Sequence, residues 1–131
     1  MDGEKNGKAK EYDYNGNLIF EGEFLNGERN GKGEEYNWCR DLIFKGEYFK
    51  GKRWNGKGYN IYKKIIYKLK DGKGYVRNYD FDNNLKFEGE YLYGKRLKGK
   101  EYVKEKLEYE GDYVIKKYNG KGYDENQRKK I

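Results

Sequence analysis

Apolar and polar residues alternate along most of this chain with a period of two. Leu18, Phe20, Gly22 and Phe24 fall on one side, and Ile19, Glu21, Glu23 and Leu25 on the other. Leu42, Phe44, Gly46 and Tyr48 repeat this against Ile43, Lys45, Glu47 and Phe49, and the same pattern returns from Leu85 and from Leu107. Such alternation, rich in aromatic and aliphatic residues, predicts half-buried β-strands. Asn26-Gly27, Lys50-Gly51 and Tyr93-Gly94 follow these strands and predict tight turns, since glycine tolerates positive φ. Second strands are predicted from Lys32 to Trp38, Lys57 to Tyr62, Lys73 to Phe81 and Lys100 to Lys104. Asn15-Gly16 and Asn83-Asn84 mark the returns to the next unit. The predicted class is all-β, a meander of tandem hairpins.

The hairpins are copies of one phrase: FEGEFLNGERNGKG from Phe20, FKGEYFKGKRWNGKG from Phe44, FEGEYLYGKRLKGKE from Phe87 and YEGDYVIKKYNGKG from Tyr109. Internal repetition of this period signals a repeat array. The glycine after the first aromatic falls at Gly22, Gly46, Gly89 and Gly111, and the wide middle gap holds a degenerate unit, Ile65 to Gly74. That unit keeps its aromatic, Tyr67, and its closing Gly-Lys-Gly but has Leu69 where the others have the central glycine. A half unit from Asn6-Gly7-Lys8 to Tyr14 opens the chain. About five units are expected over residues 1–123, followed by a tail over 124–131 that caps the last hairpin or stays disordered.

Glycine weakens a strand unless another group must approach the backbone closely. A glycine two residues from an aromatic leaves a slot for a ring, so repetition stacks rings in columns: Phe20, Phe44, Phe87 and Tyr109 in one, Phe24, Tyr48, Tyr91 and Tyr113 in the next. The columns are either the core or, in part, an exposed aromatic groove for a partner.

The string of an aromatic, Glu-Gly, an acid, an aromatic and then spaced glycines resembles the membrane occupation and recognition nexus (MORN) repeat, from Asn6 to about Tyr123. The resemblance implies an elongated, twisted, single-layer antiparallel sheet of successive hairpins. It also implies a protein-interaction or scaffolding role, with lipid binding a further expectation. Leu69, the shortened third unit, and Ile115-Lys116 in place of a turn glycine depart from the pattern.

With 131 residues the chain is one domain by length, yet it is only 34% hydrophobic and 40% charged, which is poor material for a globular core. A repeat array copes, because each unit buries its face against its neighbours. The 16 tyrosines supply area with a tip that can stay wet. Cys39 is the only cysteine, so no internal disulfide forms. The N-terminus has no apolar run of a signal peptide, and no window is long enough to span a membrane. A soluble, cytoplasmic protein is expected.

The chain contains no histidine, serine or threonine, which removes hydroxyl nucleophiles, imidazole bases and the commonest metal ligands. Asp80-x-Asp82-x-Asn84 mimics the start of a calcium loop, but Leu85 and Tyr91 stand where glycine and the bidentate glutamate belong. Gly31-Lys32-Gly33 lacks the ending of a phosphate loop. Glu21 and Glu23 recur with the repeat, as a solvated stripe does. No enzyme, cofactor or metal site is expected.

Binding remains. A net charge of +7 favours acidic partners, although acids and bases interleave. Lys32, Lys57, Lys73 and Lys121 in the Gly-Lys-Gly steps, with Lys52-Arg53, Lys95-Arg96 and Lys116-Lys117 at the turns, are either solubilising charge or a footprint. In the latter case Tyr36, Tyr59, Tyr75, Tyr102 and Tyr123 would stack on bases or fill a protein groove. The leading expectation is a scaffold module that binds another protein. The alternatives are a protein directed at nucleic acid or a ribonucleoprotein, including an inhibitor occupying the nucleic-acid channel of another protein, and a binder of anionic membrane surfaces. Pairing of terminal hairpins into a homodimer is open. The expected partner-binding residues are Phe49, Arg53, Trp54, Tyr59 and Tyr62, with Tyr93 and Arg96 beside them, as exposed aromatics and turn cations dominate interface energetics. The structural alternative is that Trp54 folds back on its own hairpin.

Overall fold

The computed structural model describes residues 5–80, 82–114 and 127–128. Among them every regular element is a strand, and every paired strand runs antiparallel to its neighbour. β1 (Gly7–Tyr12), β2 (Leu18–Leu25), β3 (Glu28–Tyr36), β4 (Leu42–Phe49), β5 (Lys52–Tyr59) and β6 (Ile65–Leu69) form one sheet in chain order. A second sheet holds β7 (Gly74–Tyr79), β8 (Leu85–Leu92), β9 (Lys95–Val103) and β10 (Lys106–Val114), with the two-residue β11 (Gln127–Arg128) added to β10. The expected hairpin meander forms, but in two sheets and not one. β6 and β7 pair only through a single bridge, Lys70 to Lys73 in the turn between them, although Leu69 and Val76 share one core cluster.

The break falls on the degenerate unit. Opposed glycines cross the first sheet from Gly22 through Gly33 and Gly46 to Gly56, and the second from Gly89 through Gly99 to Gly111. Each file ends on a buried aliphatic residue, Leu69 facing Gly56 and Val76 facing Gly89. A Cβ placed on Gly46 would strike the Asn55 carbonyl and lie 2.6 Å from the Gly56 Cα. Three residues separate Gly46 from its turn, whereas only Lys70 separates Leu69 from Asp71-Gly72, so the degenerate arm is too short to pair.

Two kinds of turn alternate from β1 to β9, and a second tight turn follows between β9 and β10. In the tight turns both central residues are left-handed, as at Asn26-Gly27, Lys50-Gly51, Asp71-Gly72, Tyr93-Gly94 and Lys104-Glu105. In the wider loops Oδ1 of Asp13, Asn37, Asn60 or Asp80 accepts backbone N–H bonds from the residues two and four positions on. Asp80 to Asn84 is thus a turn, as its mismatch with a calcium loop suggests. Outside the degenerate unit, whose Gly72 is part of the turn itself, the second strands begin directly after the tight turns. Gly31-Lys32-Gly33 and Gly56-Lys57-Gly58 therefore lie inside strands, and Trp38 and Tyr62 sit in loops beyond them. Phe81, Ile115-Lys116, Lys117, Lys121, Tyr123 and the start of the tail lie outside the described residues.

Phe20, Phe44 and Phe87 are 0% exposed, each worth about 2–3 kcal/mol in removed apolar surface. The two expected columns interleave. Phe20 and Phe44 each meet Tyr48 edge-on, with ring centres 5.0 and 5.6 Å apart, and Phe87 meets Tyr91 and Tyr113 in the same way. The columns are therefore core along most of their length; Tyr91 and Tyr109 stay half-buried.

Candidate functional site

One row of register carries the chemistry. Glu11, Phe20, Glu35, Phe44, Gly58 and Tyr67 are successive partners in the first sheet, and Asn78, Phe87, Glu101 and Tyr109 in the second. Directly opposed residues project from the same face, so glutamates stand between the rings. The second residue after the turns at Asn26-Gly27, Lys50-Gly51 and Tyr93-Gly94 is arginine, and Arg29, Arg53 and Arg96 lie over Phe20, Phe44 and Phe87 at 4.2, 5.1 and 4.2 Å.

These groups form a lattice over the core. Arg53 donates through Nε and Nη2 to the two oxygens of Glu35, at 3.0 and 2.7 Å, and through Nη1 to the Tyr67 hydroxyl at 2.6 Å. The Tyr48 hydroxyl donates to the same carboxylate at 2.7 Å, and Arg29 bridges it to Glu11. In the second sheet Glu101 receives Arg128 at 2.6 Å, Arg96 at 3.5 Å and the Tyr113 hydroxyl. Burial opposes ionisation of Glu35, but the Arg53 charge, the hydrogen bonds from Arg53 and Tyr48 and the Arg29 charge together outweigh it and hold the carboxyl below its ordinary range. Hydrogen bonds from Arg128 hold Glu101 down to about 2. Burial first, then the Glu35 charge, pushes the Tyr48 hydroxyl well up. Charge-assisted, forked bonds of this kind are the strong ones.

The lattice face forms a cleft of about 820 Å³, lined by both sheets and by the loops at Trp38, Ile61 and Asp82. Trp38 and Tyr62 are 49% and 73% exposed. Tyr59, Arg53 and Arg96 of the seven expected site residues line this cleft; Phe49, Trp54, Tyr62 and Tyr93 do not. Arg53 and Arg96 differ from the exposed turn cations expected, because their side chains are only 23% and 28% exposed and stack on the core. Phe49 and Trp54 pack together with ring centres 5.1 Å apart, and a Cβ at Gly72 would sit 2.8 Å from the indole. Trp54 thus reaches past its own hairpin to the degenerate turn, whose Gly72 N–H also bonds the Trp54 carbonyl at 2.8 Å.

Two features escaped the pattern reading. Arg128 of the tail, held over the Tyr109 ring at 4.9 Å, supplies the repeat arginine from outside any repeat, and no local signal marks it. The loop-tip residues Tyr14, Trp38 and Ile61 were findable, since each follows the Asp or Asn that organises its loop. Among the described residues no group of three acidic, cysteine or histidine side chains is placed to hold a metal, and no helix is long and apolar enough to cross a membrane. No protein-family model matches the chain, and no curated protein matches it.

Proposed function

We propose that the protein is a non-catalytic, MORN-like repeat module that binds another protein across its cleft face. The apolar rim carries this reading. The wide loops need only their leading Asp or Asn and a left-handed fourth residue, yet Trp38, Ile61 and Tyr62 present large apolar side chains there. Exposed tryptophan and tyrosine at loop tips are interface residues by type. The test is a photo-crosslinking benzoylphenylalanine placed at Trp38 or, on the other face, at Tyr75. A discrete protein adduct from Trp38 alone is expected; equal adducts from both positions, or none, overturn the reading.

A second reading rests on Lys45, Lys57 and Lys68, which oppose one another across β4, β5 and β6 and are all exposed. Like charges directly opposite destabilise a sheet, so this file supports an anionic partner for the back face, whether nucleic acid, a nucleic-acid-handling complex or an anionic membrane. A gel shift with a single-stranded oligonucleotide, lost at high salt and weakened in Lys57→Glu, is the expected result. Absence of any shift with the wild-type protein sinks it.

A further inference from the structure

The arginine–glutamate–tyrosine site recurs along the fold, complete at Arg53–Glu35–Tyr48 and at Arg128–Glu101–Tyr113 but without its glutamate beside Tyr91. Tyr48 pairs with Gly31 on one side and Arg53 on the other, and Glu35 stands four residues beyond that glycine. Tyr91 pairs with Gly74 and Arg96 in the same way, and the residue four beyond Gly74 is Asn78. Asn78 lies beside the Phe87 ring as Glu35 lies beside Phe44, and its Nδ2 meets the Tyr91 hydroxyl at 3.4 Å. The next position of the same row toward the break is Gly58, also uncharged. Of the two positions that lack the repeat glutamate, Asn78 lines the cleft, and Gly58 lies buried against the Tyr67 ring.

The cleft is basic as a result. Arg29, Lys52, Arg53, Arg77, Lys86 and Arg96 line it against Glu35, Asp41, Asp80 and Asp82. Three of these acids are already engaged: Glu35 in the lattice, Asp41 by the Asn37 side chain, and Asp80 in holding the N–H groups of Asp82 and Asn84. Arg29, Arg53, Arg77 and Arg96 in turn each reach a glutamate. We propose that the cleft receives an acidic segment of a partner protein, whose carboxylate occupies the position beside Asn78 that glutamate holds elsewhere in the row. Arginine presents a planar fork that fits a carboxylate, and a tyrosine hydroxyl adds a donor from the side. A phosphate backbone fits less well, because Asp41 and Asp82 at the rim repel a continuous polyanion while a single acidic side chain among apolar ones passes between them.

This inference rests on the protein-binding reading and deepens it. The probe is a fluorescent twelve-residue peptide of alternating glutamate and leucine, compared by anisotropy with its glutamine–leucine counterpart and with oligo-dT. Binding of the glutamate peptide, weakened at least about tenfold in the glutamine peptide, is expected. Asn78→Glu supplies the carboxylate from within and should abolish that binding while leaving the far-ultraviolet circular dichroism unchanged. Asn78→Gln changes length but not charge and should retain it. Equal binding of the two peptides, or binding unaffected by Asn78→Glu, overturns the acidic partner but leaves protein binding standing. Binding of oligo-dT with neither peptide bound overturns both.

Discussion

The β4–β5 hairpin and the β6–β7 segment are built from the same phrase and end in the same left-handed turn, yet one pairs along its length and the other parts after a single bridge. Residue class does not separate them, since both offer an aromatic at the core position, Phe44 and Tyr67, and both rings are buried. Spacing does. Glu47, Tyr48 and Phe49 give β4 the arm on which β5 pairs, and β6 has only Lys70. The shortened arm also lacks the Tyr48 and Glu35 partners, so the lattice thins where the sheets divide. The cleft is a consequence of this lost arm.

The largest effect expected within this comparison is Gly46→Val, at about 3 kcal/mol of lost stability. The colliding group is the opposing backbone at Asn55 and Gly56, which has no rotamer to yield. Thermal denaturation checks it, and a loss below about 1 kcal/mol means the close backbone approach is not what the glycine file secures.

Glu35→Gln comes next, at about 2 kcal/mol, because it removes the charge from bonds to Arg53, Arg29 and Tyr48 in a largely buried place. Asn78→Gln, at the position across the break that matches it, should move the melting temperature little. If the two substitutions cost the same, the lattice contributes no more in the regular sheet than at the junction.

Acid should act on the same groups. Glu101 and Glu35 both ionise more readily in the folded protein than the ordinary value of 4.5. A carboxyl with a depressed folded pKa stabilises fully above its unfolded value and loses that contribution as pH falls through the folded one. Melting temperature should thus decline as pH drops below about 4.5, with the Glu101 share fading toward about 2. Glu101→Gln should lie below wild type at neutral pH and converge on it in acid; a constant gap would falsify the assignment.

Much of this was legible in the residues. Alternation and glycine spacing predict the strands, the tight turns and the ring columns, because each is set by residues close in sequence. The arginine role was not legible. Arg53 and Arg96 look like exposed turn cations until β-pairing places a phenylalanine beneath each and a glutamate from the same face beside it. Arg128 was still less visible, since its partners Glu101 and Glu108 lie at least 20 residues away along the chain. Of the apolar rim Tyr62 was read as a site residue, but Trp38 went unread because a tryptophan at the end of an alternating run counts as strand until the loop's own hydrogen bonds claim it.

Leu69→Val has a small effect and is the sharpest form of the comparison, because it introduces the same side chain as Gly46→Val at the matching point of the degenerate unit. Leu69 is buried beside Val76 and Tyr67 in the core cluster. A Cβ already exists there and faces Gly56, which offers it no side chain to strike. Valine removes one methylene, so the cost is a small cavity of about 1 kcal/mol, against about 3 for Gly46→Val. Measured together by denaturant unfolding, the two values test whether the glycine is required by the register or by the repeat. A cost at Leu69 as large as that at Gly46 would mean that the aliphatic residue there holds the junction as tightly as the glycine holds the hairpin.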